Sequence, residues 1–374
     1  MKAFFKKNRE YIFIVCVFIL IKAFLFFWAD FNFNYSKYPG ETAISIWDRW
    51  DSRAYKTIAE FGYTAPNDPE DYQKFLSHFP PLYPILIKTL SSVTPLSLVE
   101  SGALISLTCA LVASIYLFKL VKKEFDEKKA YVTTFLFNLY PMAYFTGTIY
   151  TEGLFLMLVI MFFYYVRKEK YLVAAILVGL SILTRTSGIV LLPVILYLIF
   201  SKKVELRNKI NLMIFPAVGL FIYFMINLYY YGDLFFFQKE YAQNLFSGKH
   251  LIVPFSESFN TVKGMAFRMS SISDNYFMMT NGWNAIFVFF GLIISLIGIR
   301  LLPSIYSIYS LSSLIFISSY SWGISNARYT YMAFPMFMIL SKIKNRTAIT
   351  AIFILFATLL LYFTLQFTGG AWGF

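Results

Sequence analysis

Residues 47–63 read WDRWDSRAYKTIAEFGY, with two Trp-Asp pairs three residues apart and Arg49, Arg53 and Lys56 among them. A carboxylate held near an apolar surface can take a proton from a hydroxyl, which makes Asp48 and Asp51 the first candidates for chemistry. Three more charged side chains sit in greasy surroundings: Glu152 in YTEG (150–153), Arg185 in LTRTSG (183–188) and Arg328 in SNARYTYMAFP (325–335). A guanidinium presents paired donors that match phosphate. Carboxylates and arginines together suggest an anionic substrate and a proton to be moved. Competing readings are that both aspartates pair with Arg49 and Arg53 on a solvated face. The arginines would then only snorkel to an interface.

The elements that must position these groups are membrane helices. The 374-residue chain is 58% hydrophobic and 14% charged, where a soluble chain carries roughly a quarter charged residues. Apolar runs recur near the roughly 20 residues that cross a bilayer as a helix. They are continuous, not alternating, so a helical bundle is expected and a β-barrel is not. The expected spans are 11–29, 97–120, 130–148, 152–167, 171–184, 188–201, 210–231, 283–300, 302–321, 329–342 and 347–368, about eleven in all. The basic start MKAFFKKNRE and the apolar run after it read as a first transmembrane helix, not a cleaved leader.

The net charge of +13 reflects topology, not nucleic acid. KKEFDEKK, RKEK, KKVELRNK and KIKNR fall on the same side as the N-terminus, and the positive-inside rule makes that side cytoplasmic. The chain end FTGGAWGF is then outside, as are two long loops, 30–96 and about 232–282. The whole chain, 1–374, reads as a single integral membrane domain, with chemistry confined to the outer side and acceptor recognition expected in the 232–282 loop. Cys16 and Cys109 lie in apolar runs and support neither a disulfide nor a metal site. His78 and His250 are the two histidines, too few for a histidine-rich metal centre. Lys22 is an ionisable group inside the first span, where charge is costly.

At about 100° per residue, residues 47–61 form an amphipathic helix. Trp47, Trp50, Ala54, Ile58 and Phe61 share one arc, and Arg49, Arg53, Lys56 and Glu60 lie opposite. Gly62 is placed as the C-cap. Such a helix would lie in the interface plane with its tryptophans at headgroup depth. Asp51 borders the apolar arc; Asp48 lies further toward the polar side. In HFPPLYPIL, 78–86, three prolines in five positions suggest a rigid turn re-entering the membrane, or a helix start with proline in its first turn.

WDSRAYKTIAEFGY followed by HFPPLYP resembles the first outer loop of the GPI mannosyltransferase 2 family and its bacterial relatives, within the C-type glycosyltransferase superfamily. Trp50, Asp51, Ile58, Ala59, Gly62, Tyr63, Phe79, Pro81, Leu82, Tyr83 and Pro84 fit that pattern. YTEGLFLML, GLSILTRTSGIVLLPV and ARYTYMAFPMF are similar to later segments of it. His78 and Pro80 depart from it. The resemblance implies a bundle of the superfamily's type with interfacial helices in the first outer loop. It also implies transfer of a sugar, typically mannose, from a polyprenyl-phosphate donor on the extracytoplasmic face of a plasma membrane. Asp51 would be the catalytic base, and Arg185 and Arg328 would hold the donor phosphate. On the residues' own reading, Asp48, which has no counterpart in the eukaryotic pattern, would position the acceptor, hold a cation or orient Arg49. Glu152 would hydrogen-bond the sugar or tune an arginine, and Trp50, Tyr55, His78 and Tyr83 would support the site. The partners would be a lipid-linked donor, a glycan, lipid or protein acceptor, and membrane lipids. No resident cofactor is required, and a divalent metal is left open. The rival classes are a polyprenyl-lipid flippase or transporter, a silent scaffold, and a ligase or polymerase using the same lipid pool. A flippase would spread its charges along a path through the membrane, whereas here they gather at one face.

Overall fold

The apolar runs fold as helices, but the helices differ in length far more than the runs do. In the computed structural model, residues 2–201, 204–243, 249–267 and 274–371 are described, the side chains of 2–7 and 241–243 excepted. In order, the helices are α1 (Lys2–Asn32), α2 (Ser52–Phe61), α3 (Glu70–Phe75), α4 (Leu82–Val93), α5 (Leu98–Glu124) and α6 (Glu127–Leu139). They continue with α7 (Glu152–Val166), α8 (Tyr171–Thr184), α9 (Leu192–Phe200), α10 (Leu206–Tyr231), α11 (Phe236–Gln243) and α12 (Ser256–Phe267). The last are α13 (Trp283–Leu301), α14 (Ser304–Ser318), α15 (Asn326–Thr330), α16 (Pro335–Leu340) and α17 (Arg346–Thr368). Among the described residues, β-structure is limited to an antiparallel bridge between Leu251 and Tyr320.

Five helical stretches, Asn8–Asn32, Leu98–Glu124, Leu206–Tyr231, Asn275–Leu301 and Arg346–Thr368, are long and apolar enough to cross a membrane alone. Several other expected spans are interrupted. The run at 130–148 is helical only to Leu139, because Pro141 cannot continue the ladder. Its remainder is a buried irregular stretch with a 3₁₀ turn at Ala143–Gly147. The run at 329–342 is split between α15 and α16. Backbone freed at membrane depth must find partners inside the protein, and Lys22 supplies one. Its Nζ donates to the Ala143 carbonyl and to Thr146 Oγ1, both at 2.7 Å.

Trp47–Phe61 is not one continuous helix. Residues Ser45–Trp47 form a 3₁₀ turn, Trp50 has φ +51°, and α2 begins only after Asp51. The two tryptophans therefore part company. Trp47 is buried with its ring 4.6 Å from Phe26, while Trp50 is half exposed. Ala54 and Ile58 pack on protein, not on lipid, since α2 lies against α4 and α5. Gly62 does close α2, with φ +70° and its N–H on the Ile58 carbonyl. HFPPLYPIL is both turn and helix start: Phe79 is extended, Pro81 caps α4 and Pro84 falls in its first turn.

One contiguous core runs from Ile14 in α1 to Phe367 in α17. The loops rich in Lys and Arg meet at one end of it. There Lys122 bonds Glu10 and Glu127, Arg167 pairs with Glu124, and Lys342 donates to the Leu301 carbonyl over the Phe125 ring. The N-terminus of α7 and the C-terminus of α8 point to the opposite end, where the candidate residues gather.

Candidate active site

The segment Tyr150-Thr151-Glu152 is the hub of the site, its side chains joining the turn before α2, α2 itself, the end of α8 and α15. The Tyr150 hydroxyl accepts from the Asp51 N–H at 3.2 Å and donates to the Arg49 carbonyl at 3.0 Å, pinning the strained turn before α2. Thr151 Oγ1 accepts from Arg185 at 2.7 Å and lies 3.3 Å from the Tyr55 hydroxyl. Glu152, fully buried, takes Arg185 at 2.6 Å and Arg328 Nε at 3.3 Å, both on Oε1. The hub can sit this deep because α7 rides close on α5. A Cβ on Gly153 would stand 2.4 Å from the Ser106 carbonyl oxygen, so only glycine fits. Glu152 opens α7, where the helix dipole favours a negative charge.

Arg328 links this hub to Asp51. Its two terminal nitrogens lie 3.3 Å from Asp51 Oδ2. The guanidinium carbon sits 4.9 to 5.2 Å from the rings of Phe145, Tyr150 and Tyr329, an aromatic cage that favours a cation. The left-handed Ser325, φ +73°, turns the chain into α15 just ahead of it. Backbone strain of this kind costs on the order of 1–3 kcal/mol and needs surrounding structure to hold it. Both Asp51 and Arg328 thus follow a strained residue, Trp50 and Ser325.

These groups surround a cavity of about 170 Å³ whose lining includes Trp50, Asp51, Tyr55, His78, Arg185 and Arg328. Asp51 keeps 31% of its side-chain surface, while Arg328 keeps 4%. Six of the nine expected residues line this cavity, and Asp48, Tyr83 and Glu152 do not. Asp48 is outside the lining, held by Ser52 at 2.7 Å and paired with Lys56. Tyr83 is wholly buried behind it, bonded to the Gly102 carbonyl and Ser106 while its ring meets Tyr55 edge-on at 5.1 Å. Glu152 touches the site through its arginines and not through the cavity. His78 is buried, and desolvation, reinforced by Lys249, pushes its imidazole down to about 3.

Lys249 is the contributor that motif reading missed. Antiparallel contacts set it in the cavity wall: His250 N–H to Ser321 Oγ, Ile252 N–H to the Ser319 carbonyl and Ser321 N–H to the His250 carbonyl. Its ammonium lies 5.0 Å from the Tyr320 ring, and burial pushes its pKa down. No sequence signal near GKH marks it, because its position depends on pairing with a segment 70 residues away. With Asp51 and Glu152 balanced by Arg185 and Arg328, Lys249 gives the cluster a positive excess when it is protonated. Among the described residues no three His, Cys, Asp or Glu side chains come together as a metal site. Asp51 faces guanidinium groups, a poor setting for a divalent cation.

A family model described as dolichyl-phosphate-mannose-protein mannosyltransferase matches residues 78–230, less than half of the chain. Its description differs from GPI mannosyltransferase 2, the family the motifs suggested. No curated protein matches the chain. Among solved structures, the chain is similar to ArnT from Cupriavidus metallidurans bound to undecaprenyl phosphate, at 13% identity and TM-score 0.54. That match covers 90% of this chain and 61% of the other. It is also similar to the apo oligosaccharyltransferase of Archaeoglobus fulgidus, at 15% identity and TM-score 0.51, covering 99% of this chain and 57% of that one. The chain therefore spans less than two thirds of the length of either structure. At such identities the likeness is one of fold: a multi-pass helical membrane bundle of the kind these two proteins share.

Proposed function

We propose that this protein is a membrane glycosyltransferase. It moves a sugar, mannose in the first instance, from a polyprenyl-phosphate donor to an acceptor hydroxyl on the extracytoplasmic face. The observation that carries the reading is one accessible carboxylate, Asp51, facing the same small cavity as Arg185, Arg328 and Lys249. That set suits an anionic leaving group and a proton to be removed. The partial family match and the shared fold support the same reading.

In the proposed reaction, Asp51 takes the proton of the acceptor hydroxyl. The oxygen attacks the anomeric carbon from the face opposite the phosphate, so the configuration inverts. The carbon–oxygen bond to phosphate breaks, and polyprenyl phosphate leaves with the electron pair. Arg328 has donors enough to hold Asp51 and a phosphate oxygen together. Arg185 and Lys249 meet the remaining charge, as preorganised cations do where negative charge develops. Glu152 keeps both guanidiniums in place, and no step passes through a metal. The basic loops at the far end of the bundle support an extracytoplasmic site, under the positive-inside rule. Against a flippase, Lys22 donates to Ala143 and Thr146, and Asp51, Glu152, Arg185, Arg328 and Lys249 gather at one end.

Purified protein in liposomes, given radiolabelled polyprenyl-phosphate mannose and a membrane extract as acceptor, tests the proposal. The wild type transfers label, and Asp51→Asn loses roughly 10²- to 10⁴-fold, the range for general-base removal, with donor binding kept. Full transfer by Asp51→Asn refutes the base. Passage of the donor across the bilayer without transfer favours the flippase.

A further inference from the structure

A second and larger cavity, about 480 Å³, is bounded by Ser256, Glu257, Asn260, Thr261, Phe277 and Ser321 among others. Its size is in the range of ligand pockets, roughly 300–1,000 Å³. Of these residues only Ser321 bears on the transfer site, through its pairing with His250 beside Lys249. The notable one is Glu257. Most half-buried carboxylates in the molecule hold a cation: Glu10 with Lys122, Glu41 with Arg49, Asp48 with Lys56, Asp68 with Arg53. Among the described residues Glu257 has none, and its one hydrogen bond is from Thr261 Oγ1 at 3.1 Å. Burial raises its pKa, with the Thr261 bond opposing. The fold makes room for it: a Cβ on Gly323 would stand 2.4 Å from Glu257 Oε2.

A carboxylate with spare acceptor lone pairs and no cation asks for neutral donors. Asn260 adds a donor pair and an acceptor, Ser256 and Ser321 add hydroxyl oxygens that also bond the Val253 carbonyl and the His250 N–H, and Phe277 offers an apolar ring. Hydroxyls around an apolar carbon face are what a sugar ring presents. The location agrees. Ser321 bounds this cavity while Trp322, Ile324 and Ser325 bound the reaction cavity, so one short segment is the wall between them.

We propose that the cavity at Glu257 is a subsite for a neutral sugar residue of the acceptor glycan, whose neighbouring hydroxyl reaches Asp51 across the 321–325 wall. This rests on the glycosyl-transfer reading for its purpose, but not for its existence. Glu257 and Asn260 take paired hydroxyls, and Phe277 covers a ring face. The acceptor is then a chain of at least two sugars, and a lone alcohol is a poor substrate.

Saturation-transfer NMR on detergent-purified protein tests this with neutral gluco-, manno- and galacto-disaccharides and with glucosamine as an amine probe. The wild type and Asp51→Asn bind at least one disaccharide. Glu257→Gln weakens that binding about tenfold, as loss of a charge-assisted bond does. Asn260→Ala, at an exposed position that folding tolerates, weakens it several-fold. Unchanged affinity in both variants overturns the proposal, as does a wild type that binds no neutral disaccharide or binds only glucosamine. Protein that binds disaccharides through Glu257 yet transfers no sugar keeps this subsite and removes the transferase reading instead.

Discussion

Both ends of the bundle hold acid–base pairs, and they are built differently. At the end where the basic loops meet, Lys122 keeps 38% of its side-chain surface, Glu10 29% and Glu127 50%, and the buried member, Glu124 at 4%, pairs with Arg167 at 40%. At the other end Glu152 keeps none and Arg328 4%. Exposed pairs are screened and contribute roughly 0–1 kcal/mol. Buried pairs cost so much desolvation that a hydrophobic substitute would often be as stable. The first arrangement is the kind of basic surface that, under the proposed topology, would face the cytoplasm. The second is kept at a cost, which points to use.

The comparison is broken most severely at Glu152. Glu152→Ala leaves Arg185 and Arg328 buried without their shared carboxylate, a change worth about 3–5 kcal/mol. Thermal unfolding in detergent should show a large drop in midpoint, and transfer should be lost with it. Glu152→Gln, which keeps the shape but not the charge, should fold better than alanine and still lose transfer. A Glu152→Ala protein as stable as wild type would show that the buried network is not held together by that carboxylate.

Much of the site was legible because its members sit in local motifs. Glu152, Arg185 and Arg328 are each ionisable in an apolar run, where the cost of burying them marks them whatever the fold, and Asp51 is marked by its Trp-Asp motif. What could not be read was anything decided between distant segments. The wheel drawn through 47–61 assumed one helix, and the left-handed Trp50 breaks it, leaving Trp47 in the core and Asp48 on Lys56. Asp51 came out at the cavity even so, because its place is set by Tyr150 and Arg328 and not by the wheel. The interrupted spans at 130–148 and 329–342 looked continuous because hydropathy is blind to where the ladder fails. Lys249 reaches the site through backbone pairing of residues 250–252 with 319–321, which no local pattern encodes.

A milder perturbation uses pH. His78 is held neutral in the fold, down to about 3, against roughly 6.5 in an unfolded chain. Between those values the unfolded state binds the extra proton, so stability rises with pH through the window and is lost as pH falls below about 6.5. The loss approaches about 1.4 kcal/mol per pH unit. Unfolding midpoints measured from pH 7 to pH 4.5 should fall for wild type and fall less for His78→Gln. Parallel curves would show that His78 is not the group responsible.

Lys249 sharpens the comparison within the site end. If its charge completes the anion site, Lys249→Gln should raise the donor KM about tenfold, near the worth of one charge-assisted hydrogen bond. The acceptor KM should stay as it was, because Glu257 and Asn260 lie beyond the 321–325 wall. A fall in kcat at constant donor KM would instead place Lys249 on the charge that develops as the phosphate leaves.

The smallest effect belongs to the basic end. Lys122→Ala removes a cation shared by Glu10 and Glu127, yet both partners are open enough for water to replace it. Stability should fall by less than about 1 kcal/mol, and transfer should be unchanged, since this end takes no part in the site. What the substitution can move is orientation, because under the proposed topology positive charge beside the first helices would hold them on the cytoplasmic side. Cysteine labelling from each side of sealed vesicles reads this directly. A population of inverted chains, growing as Lys119, Lys123 and Lys128 are also neutralised, would tie this end to topology alone. A matching loss of transfer in correctly oriented protein would mean that the two ends are coupled through α5 and α7, and the division of labour drawn between them would fail.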